Sequence, residues 1–498
     1  MKYFYEKNRE LLESDCNKKF EEVLAMTKDE FREWVIDLRK TVVKLWDEKG
    51  QPPRVGYDEQ EIIDQFNEMT SFPVHQFLVK DELTGEKDVI RNTSVVGNAV
   101  NQWFPTMMKT RINYTTDVDS GKSIYDYFAK DTLLDTFITY ASRHFKRDSF
   151  YHYSTPIKLN QLIEIGSLRF KATSTMEFLQ WFETKARAYD THDYWLEPNA
   201  GDKEYTGYNE DLKDQTYLRI TKDELLQLHA SNPSFIPNNC ITNIDHKDAQ
   251  LFRIRLYEKG QKLFPVGLKA FRISFCQYAV NFPPLTAKYL YERYTDHIKT
   301  QEQINIYDPS SGWGGRLLGA LSVDDERNIH YIGTDPNTDH NTENGRTKYH
   351  EFADFFNTKT YRANGLFPKI HTYEIFQHGS EEIHKDPKFQ KYKGKLDMIF
   401  TSPPYFAKEA YSEDEEQSYK KFSQYDAWRE GFLRKTLETC VEYLNNDRYL
   451  LWNIADAMFG GDMLPLEQDS IDILKSLGME YRGKLKMALA QMPGEIGR

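Results

Sequence analysis

Thr401-Ser402-Pro403-Pro404-Tyr405 directly follows the apolar run Leu396–Phe400. Each proline fixes its own backbone and pushes its predecessor to extended geometry. Carbonyl oxygens and the Ser402 hydroxyl are thereby held beside a flat ring. Such a turn suits a planar substrate with an amino group on its edge: the oxygens accept from the amine and Tyr405 stacks on the plane. A second stretch, Asp308-Pro309-Ser310-Ser311-Gly312-Trp313-Gly314-Gly315-Arg316, leaves another short apolar strand and opens a helical run, Leu317–Leu321. A strand leading through a glycine-rich turn to a helix lets a ligand approach the backbone closely. A third, Ile329-His330-Tyr331-Ile332-Gly333-Thr334-Asp335, is a strand ending in an acid that can accept from ribose hydroxyls.

Rival chemistries lack their residues. A phosphate loop needs Lys-Ser or Lys-Thr after its last glycine, and Gly315 is followed by Arg316 and Leu317. Gly121-Lys122-Ser123 lacks the earlier glycine, since position 116 is Thr116. The dinucleotide glycine spacing is absent as well. A zinc helix built on His350-Glu351 would need a second histidine where Asp354 stands, so no metal is expected.

At the three stretches the chain resembles the S-adenosylmethionine-dependent amino-methyltransferases of DNA. The resemblance covers roughly residues 270–490 and implies a Rossmann-like methyltransferase domain. Asp308, Ser310, Gly312, Gly314 and Gly315 look like that family's cofactor loop, and Asp335 like its ribose acid. Ser402, Pro403, Pro404 and Tyr405 look like its catalytic tetrad. His378-Gly379-Ser380-Glu381 stands where the family contacts the cofactor adenine, with Ser380 and Glu381 in place of the commoner Asp. Pro284 and Thr286, in Asn281–Lys288, look like the segment that closes over the methionine end. The cofactor implied is S-adenosyl-L-methionine. The partner implied is DNA, double-stranded with the target base flipped out, in a phage or restriction–modification setting. A restriction endonuclease or a second copy of the chain are further candidate partners.

Enzymes that methylate carbon-5 of cytosine attack with a thiolate from a Pro-Cys pair, and no Pro-Cys occurs here. The expected acceptor is therefore an exocyclic nitrogen. The Ser402 hydroxyl and the Pro403 carbonyl are the expected acceptors for its protons. No residue of the motifs presents itself as a strongly perturbed general base. Within the family, Ser at the first tetrad position goes more with cytosine-N4, and Asp or Asn with adenine-N6. Adenine-N6 methylation, RNA or amide N-methylation, and a catalytically weak nucleic-acid-binding protein keeping the fold are the alternatives.

The elements that must position these residues alternate regularly beyond residue 300. Strands are expected at 304–308, 329–335, 373–377, 396–400, 447–454 and 483–489, with helices between the first five. That rhythm predicts a mainly parallel, doubly wound α/β domain over 271–498. Asp308, Asp335 and Ser402 then meet along one rim, at the carboxyl ends of strands. Family sheets end in an antiparallel hairpin. Residues 480–489 are expected to supply its first strand, with no second strand after Met492-Pro493-Gly494. Asp397, inside the LDMIF strand, reads as a polar group hydrogen-bonded within the sheet.

Upstream lies a large mixed α+β region. Residues 1–150 read as mainly helical, with Thr27-Lys28-Asp29-Glu30 in capping-box form and a turn at 117–122. Residues 151–270 read as mixed, with strands at 167–170 and 251–257, a second capping box at Thr221–Glu224 and a polar loop at 190–214. Little chain separates cofactor loop from tetrad, so target recognition is assigned by elimination to residues before 271, with 151–270 the candidate.

The 498 residues carry 39% hydrophobic and 29% charged side chains, which suits a globular protein of two or three domains. No segment is apolar enough to span a bilayer, and the charged N-terminus is unlike a signal peptide. Four dispersed cysteines argue for a reducing cytoplasm. A net charge of −12 runs against nucleic-acid binding, which favours basic surface. Local clusters such as Arg143-His144-Phe145-Lys146-Arg147 can offset it, while Glu413-Asp414-Glu415-Glu416 reads as a solvated loop able to close over substrate.

Overall fold

The computed structural model describes residues 57–79, 89–113, 121–129, 279–298, 302–364 and 371–487 apart from single positions, parts of 11–49, and short strands at 152–153, 195–197, 220–221 and 252–255. The chain divides into two units. One comprises residues 1–8, 45–127 and 276–491, the other 9–44, 128–275 and 492–498.

In the second unit the capping box at Thr27 forms. The Thr27 N–H donates to the Glu30 carboxylate at 2.8 Å, and the Glu30 N–H returns to the Thr27 hydroxyl at 3.3 Å. Trp34, Val35, Leu38 and Val42, on the helix that follows, are buried at helical spacing. A four-stranded sheet runs in the order His152–Tyr153, Phe252–Arg255, Trp195–Glu197, Ile220–Thr221. The stretch 190–214 is thus not loop throughout, because Trp195 and Leu196 pair through backbone with Arg253 and Phe252. The strand expected at 167–170, the turn at 117–120, the second capping box beyond Thr221 and the basic cluster 143–147 lie outside the described residues.

The first unit is built on a five-stranded parallel sheet, which makes it an α/β fold. Helix α1 (Pro284–Tyr294) precedes β1 (Gln303–Asp308). Then come α2 (Gly315–Leu321), β2 (Asn328–Thr334), α3 (Lys348–Lys359), β3 (Thr372–Phe376), β4 (Leu396–Thr401), α4 (Lys435–Tyr443) and β5 (Leu444–Trp452). The spatial order is β3-β2-β1-β4-β5, every pair parallel. Chain order therefore reverses between β1 and β4, the point where open parallel sheets bind ligands. Successive residues of β1 face opposite cores. Ile304 and Ile306 pack with α1, α2 and α3, and Tyr307 packs with Phe389, Cys440 and Tyr443 on the other face. A sheet covered on both faces needs apolar strands, and every residue of β4 is buried. Asp397 is satisfied within the sheet, accepting from the Asn305 N–H at 2.9 Å and from Arg448 at 3.4 Å.

Residues 57–79 and 89–113 contribute to the same core. Helix Glu59–Ser71 opens on an Asp58–Glu61 capping box, and its Phe66 stacks on Phe356 of α3 at 4.6 Å. Trp103 meets Phe352 edge-on at 5.4 Å. Buried Lys288 of α1 donates to the carbonyls of Met69 and Thr70 at 2.7 and 2.8 Å, filling the open acceptors at that helix's end.

The last strand departs from expectation. Among the described residues of that stretch, which end at Met487, only Lys486–Met487 forms a strand, and it pairs parallel with Val89–Ile90, which pairs antiparallel with Leu78–Val79. The tail of the described chain joins strands near the N-terminus instead of opening a hairpin on β5. Among the described residues, no helix is long and apolar enough to cross a membrane.

Candidate active site

The β1 turn is organised by Asp308, whose carboxylate is fully buried. It accepts from Arg316 Nε at 2.7 Å, Tyr331 Oη at 2.6 Å, Thr401 Oγ1 at 2.7 Å and the Ser310 N–H at 3.2 Å. These bonds tie β1 to α2, β2 and β4. Asp308 is thus the buried knot behind the turn and does not itself line the cavity in front of it.

That cavity has a volume of about 530 Å³, within the range of small-molecule sites. Ser310, Gly312 and Trp313 line it from the β1 turn, Asp335 from β2, Ser380 and Glu381 from beyond β3, and Ser402–Tyr405 from β4. The rim expected from sequence is formed, with Asp308 beneath it. Gly312 adopts φ 59° and donates its N–H to Asp335 at 2.9 Å. Gly314 and Gly315 do not line the cavity; they make room for close packing. A Cβ on Gly314 (φ +72°) would fall 2.7 Å from the Phe104 ring, and one on Gly315 would fall 2.2 Å from the Phe282 carbonyl.

Pro284 and Thr286 are also set back, in the first turn of α1. Thr286 Oγ1 accepts from Asn92 at 3.0 Å. The cavity is bounded by the preceding residues Ala279–Pro283. Asn281 there donates to the Trp313 carbonyl at 2.7 Å and to Asn101 at 2.9 Å.

Asp335 accepts from the N–H groups of Gly312 and Asn337, each at 2.9 Å. Burial nevertheless pushes its carboxyl up to about 6. Behind it, His340 Nδ1 lies 3.0 Å from Tyr349 Oη, and His340 Nε2 lies 3.2 Å from Thr106. Burial drives this imidazole down to about 3, so it is neutral and acts as a brace. Ser380 Oγ lies 3.0 Å from Thr436 Oγ1, and Glu381 pairs with Lys421 at 3.0 Å.

At the tetrad, Asn453 follows β5 and grips the neighbouring strand end. Its N–H donates to the Thr401 carbonyl at 2.9 Å and its side-chain amide to Ser402 Oγ at 3.0 Å. Burial raises the Tyr405 phenol to about 12, which keeps it neutral. Phe406 has φ 53°, a left-handed backbone that is strained for a bulky residue. Its ring is held among Tyr425, Trp428 and Phe459 at 5.4–5.8 Å; it is a packing anchor, whereas Trp313 reaches the cavity.

The acidic stretch after the tetrad is solvated at Glu413, Glu415 and Glu416, as expected, and is anchored through its neighbours. Tyr411 meets Trp313 edge-on at 5.6 Å. Asp414 accepts from Thr338 Oγ1 at 2.6 Å, and Glu416 pairs with Lys421 at 2.5 Å and lines the cavity. The lining acids Asp335, Glu381, Glu409 and Glu416 face one lining Arg316, itself bound to Asp308. The arrangement suits a ligand with cationic groups better than a polyphosphate.

Sequence reading missed Asn453, Glu409, His340, Tyr349 and the bracing Phe104. Asn453 had a signal: it ends a strand, as Asp308, Asp335 and Ser402 do. Among the described residues no group of three or more His, Cys, Asp or Glu could hold a metal ion. No family model, curated protein or solved structure matches the chain.

Proposed function

We propose that the protein is an S-adenosylmethionine-dependent amino-methyltransferase of DNA, with a Rossmann-like catalytic domain and cytosine-N4 as the favoured acceptor. One observation carries the reading. The turn that could hold a flat amine and the acid that could hold a ribose open on a single cavity, on either side of a glycine turn at the sheet's reversal point. The residues fit the cofactor: Asp335 would take ribose hydroxyls, Gly312 leaves backbone approachable, Ser380 and Glu381 would flank the adenine, and the acidic lining favours a sulfonium.

The cofactor supplies an electrophilic methyl group. The chain's task is to position the amine and stabilise charge developing on nitrogen. An aromatic amine is a weak nucleophile because its lone pair is delocalised into the ring. Acceptors on its two protons, the Ser402 hydroxyl and the Pro403 carbonyl, favour a tetrahedral nitrogen with a free lone pair. Asn453 occupies one lone pair of Ser402 Oγ and leaves the hydroxyl another acceptor site. Tyr405 stacks on the flipped base. Residues 57–79 and 89–113 contribute to the catalytic unit's core, which leaves target recognition to the second unit, chiefly 128–275.

The test is methyl transfer from labelled S-adenosylmethionine to unmethylated DNA and to RNA, followed by nucleoside analysis. Label in DNA is expected. 6-Methyladenine would overturn the cytosine preference, and label in RNA alone the choice of DNA. Cofactor binding without transfer would favour a nucleic-acid-binding protein that keeps the fold.

A further inference from the structure

Glu409 is a largely buried acid of the same cavity that no motif identifies. It lines the cavity with Ser402–Tyr405 and is only partly exposed. Its backbone is fixed from a distant part of the chain. Glu409–Ala410 pairs antiparallel with Arg111–Ile112, Glu409 opposite Ile112. The next residue, Asn113, donates its N–H to the Lys408 carbonyl at 2.8 Å and its amide to the Ala407 carbonyl at 2.9 Å. The carboxylate is oriented by a hydrogen bond from Tyr411 Oη. A carboxylate has about four acceptor sites, so one such bond leaves others for a ligand.

Resting on the methyl-transfer reading above, we infer that Glu409 is the catalytic residue that takes the proton the amine must lose. As the nitrogen–methyl bond forms, the carbon–sulfur bond breaks and sulfur keeps the electron pair as a neutral thioether. The nitrogen becomes cationic and releases one N–H proton to the Glu409 carboxylate, which then returns it to water. The cavity's other acids are otherwise engaged: Asp335 by two backbone N–H groups, Glu381 and Glu416 by Lys421.

Burial raises the Glu409 carboxyl, opposed by the Tyr411 hydrogen bond and by the charge of Lys408. The other charged or titratable groups around it are Tyr405 in the tetrad and Arg316 in α2, which acts on both tyrosines. On the facing strand, Arg111 is paired with Asp126 and Glu413. The ionised form is the one that accepts a proton. Single-turnover transfer at saturating cofactor should therefore fall as pH drops through the raised value.

The experiment uses the 498-residue chain in four forms: wild type, Glu409→Gln, Glu409→Asp and Tyr411→Phe. Single-turnover transfer to DNA is measured against pH, with cofactor affinity measured alongside. Glu409→Gln is expected to cut the rate ~100-fold or more and flatten the acid limb, with cofactor affinity falling far less than the rate. Glu409→Asp should recover part of the rate. Tyr411→Phe removes the bond that lowers the carboxyl, so its acid limb should move to higher pH. In protein free of cofactor, carboxyl-labelled glutamate NMR should show, besides the raised Glu292, a resonance titrating above the ordinary range that is absent from Glu409→Gln. A wild type that transfers while Glu409→Gln matches it within twofold would overturn the role of Glu409 alone. A wild type that transfers to no acceptor would overturn the methyl-transfer reading itself. A Glu409 resonance titrating at the ordinary value would overturn the buried-acid argument whatever the activity.

Discussion

Asp335 and Tyr405 flank the β1 turn and answer to different readouts. If Asp335 holds ribose hydroxyls, Asp335→Asn removes charge-assisted bonds worth about 1.5–3 kcal/mol and weakens cofactor affinity roughly 10- to 100-fold. Only the ionised carboxylate accepts from both hydroxyls. With its carboxyl raised to about 6, cofactor affinity should be full above that pH and fall as pH drops through it. Calorimetric titrations between pH 5 and 8 check this, and Asp335→Asn should abolish the dependence. Pro404→Ala and Tyr405→Ala should instead stop transfer with cofactor affinity nearly intact. Unchanged turnover in either would contradict the tetrad assignment. The tetrad and the acid were legible because proline and glycine punctuate strand ends. Asp308 was legible as important but not as inaccessible: its burial depends on Tyr331, Arg316 and Thr401 converging from three other elements.

At the scale of elements, the glycine turn and the post-tetrad strand both lean on residues far earlier in the chain. Gly314 faces the Phe104 ring. Gly314→Ala adds a side chain at positive φ and a steric clash, at about 1–3 kcal/mol of stability. Denaturant unfolding should show the loss, and cofactor binding should weaken with it. Asn113→Ala removes bonds to the Ala407 carbonyl and from the Gly121 N–H at 3.0 Å. It is expected to cost about 1–3 kcal/mol and to lower turnover more than cofactor affinity, because the strand it anchors carries Glu409. A turnover loss matched by an equal loss of cofactor affinity would show a general collapse instead. The five core strands were readable from apolar runs alternating with helical segments. The contributions of 57–113 were not. Trp103 and Phe104 carry no periodic signal, and their partners lie more than two hundred positions downstream. The pairing of Lys486–Met487 with Val89–Ile90 is long-range in the same way, and a two-residue strand leaves no pattern of its own.

For the whole molecule, the charge of −12 means that DNA, if it is the substrate, would have to be met by a local basic face. The second unit contains Arg143, Lys146 and Arg147 close together in sequence. If these neutralise phosphates, changing all three to glutamine should weaken DNA binding uniformly across sequences. It should also reduce the slope of log affinity against log salt by about 0.9 for each phosphate left unneutralised. Cofactor affinity should not change. An unaltered salt slope would place the basic face elsewhere.

The proposed methyl transfer puts a methyl donor and the turn that receives an amine in one cavity. Its most direct test is nucleoside analysis of unmethylated DNA incubated with labelled cofactor and either wild type or Tyr405→Ala, both at saturating cofactor. 4-Methylcytosine is expected from the wild type and none from a variant that binds cofactor equally well. Wild-type protein that binds the cofactor yet leaves every DNA nucleoside unlabelled would contradict the proposed transfer.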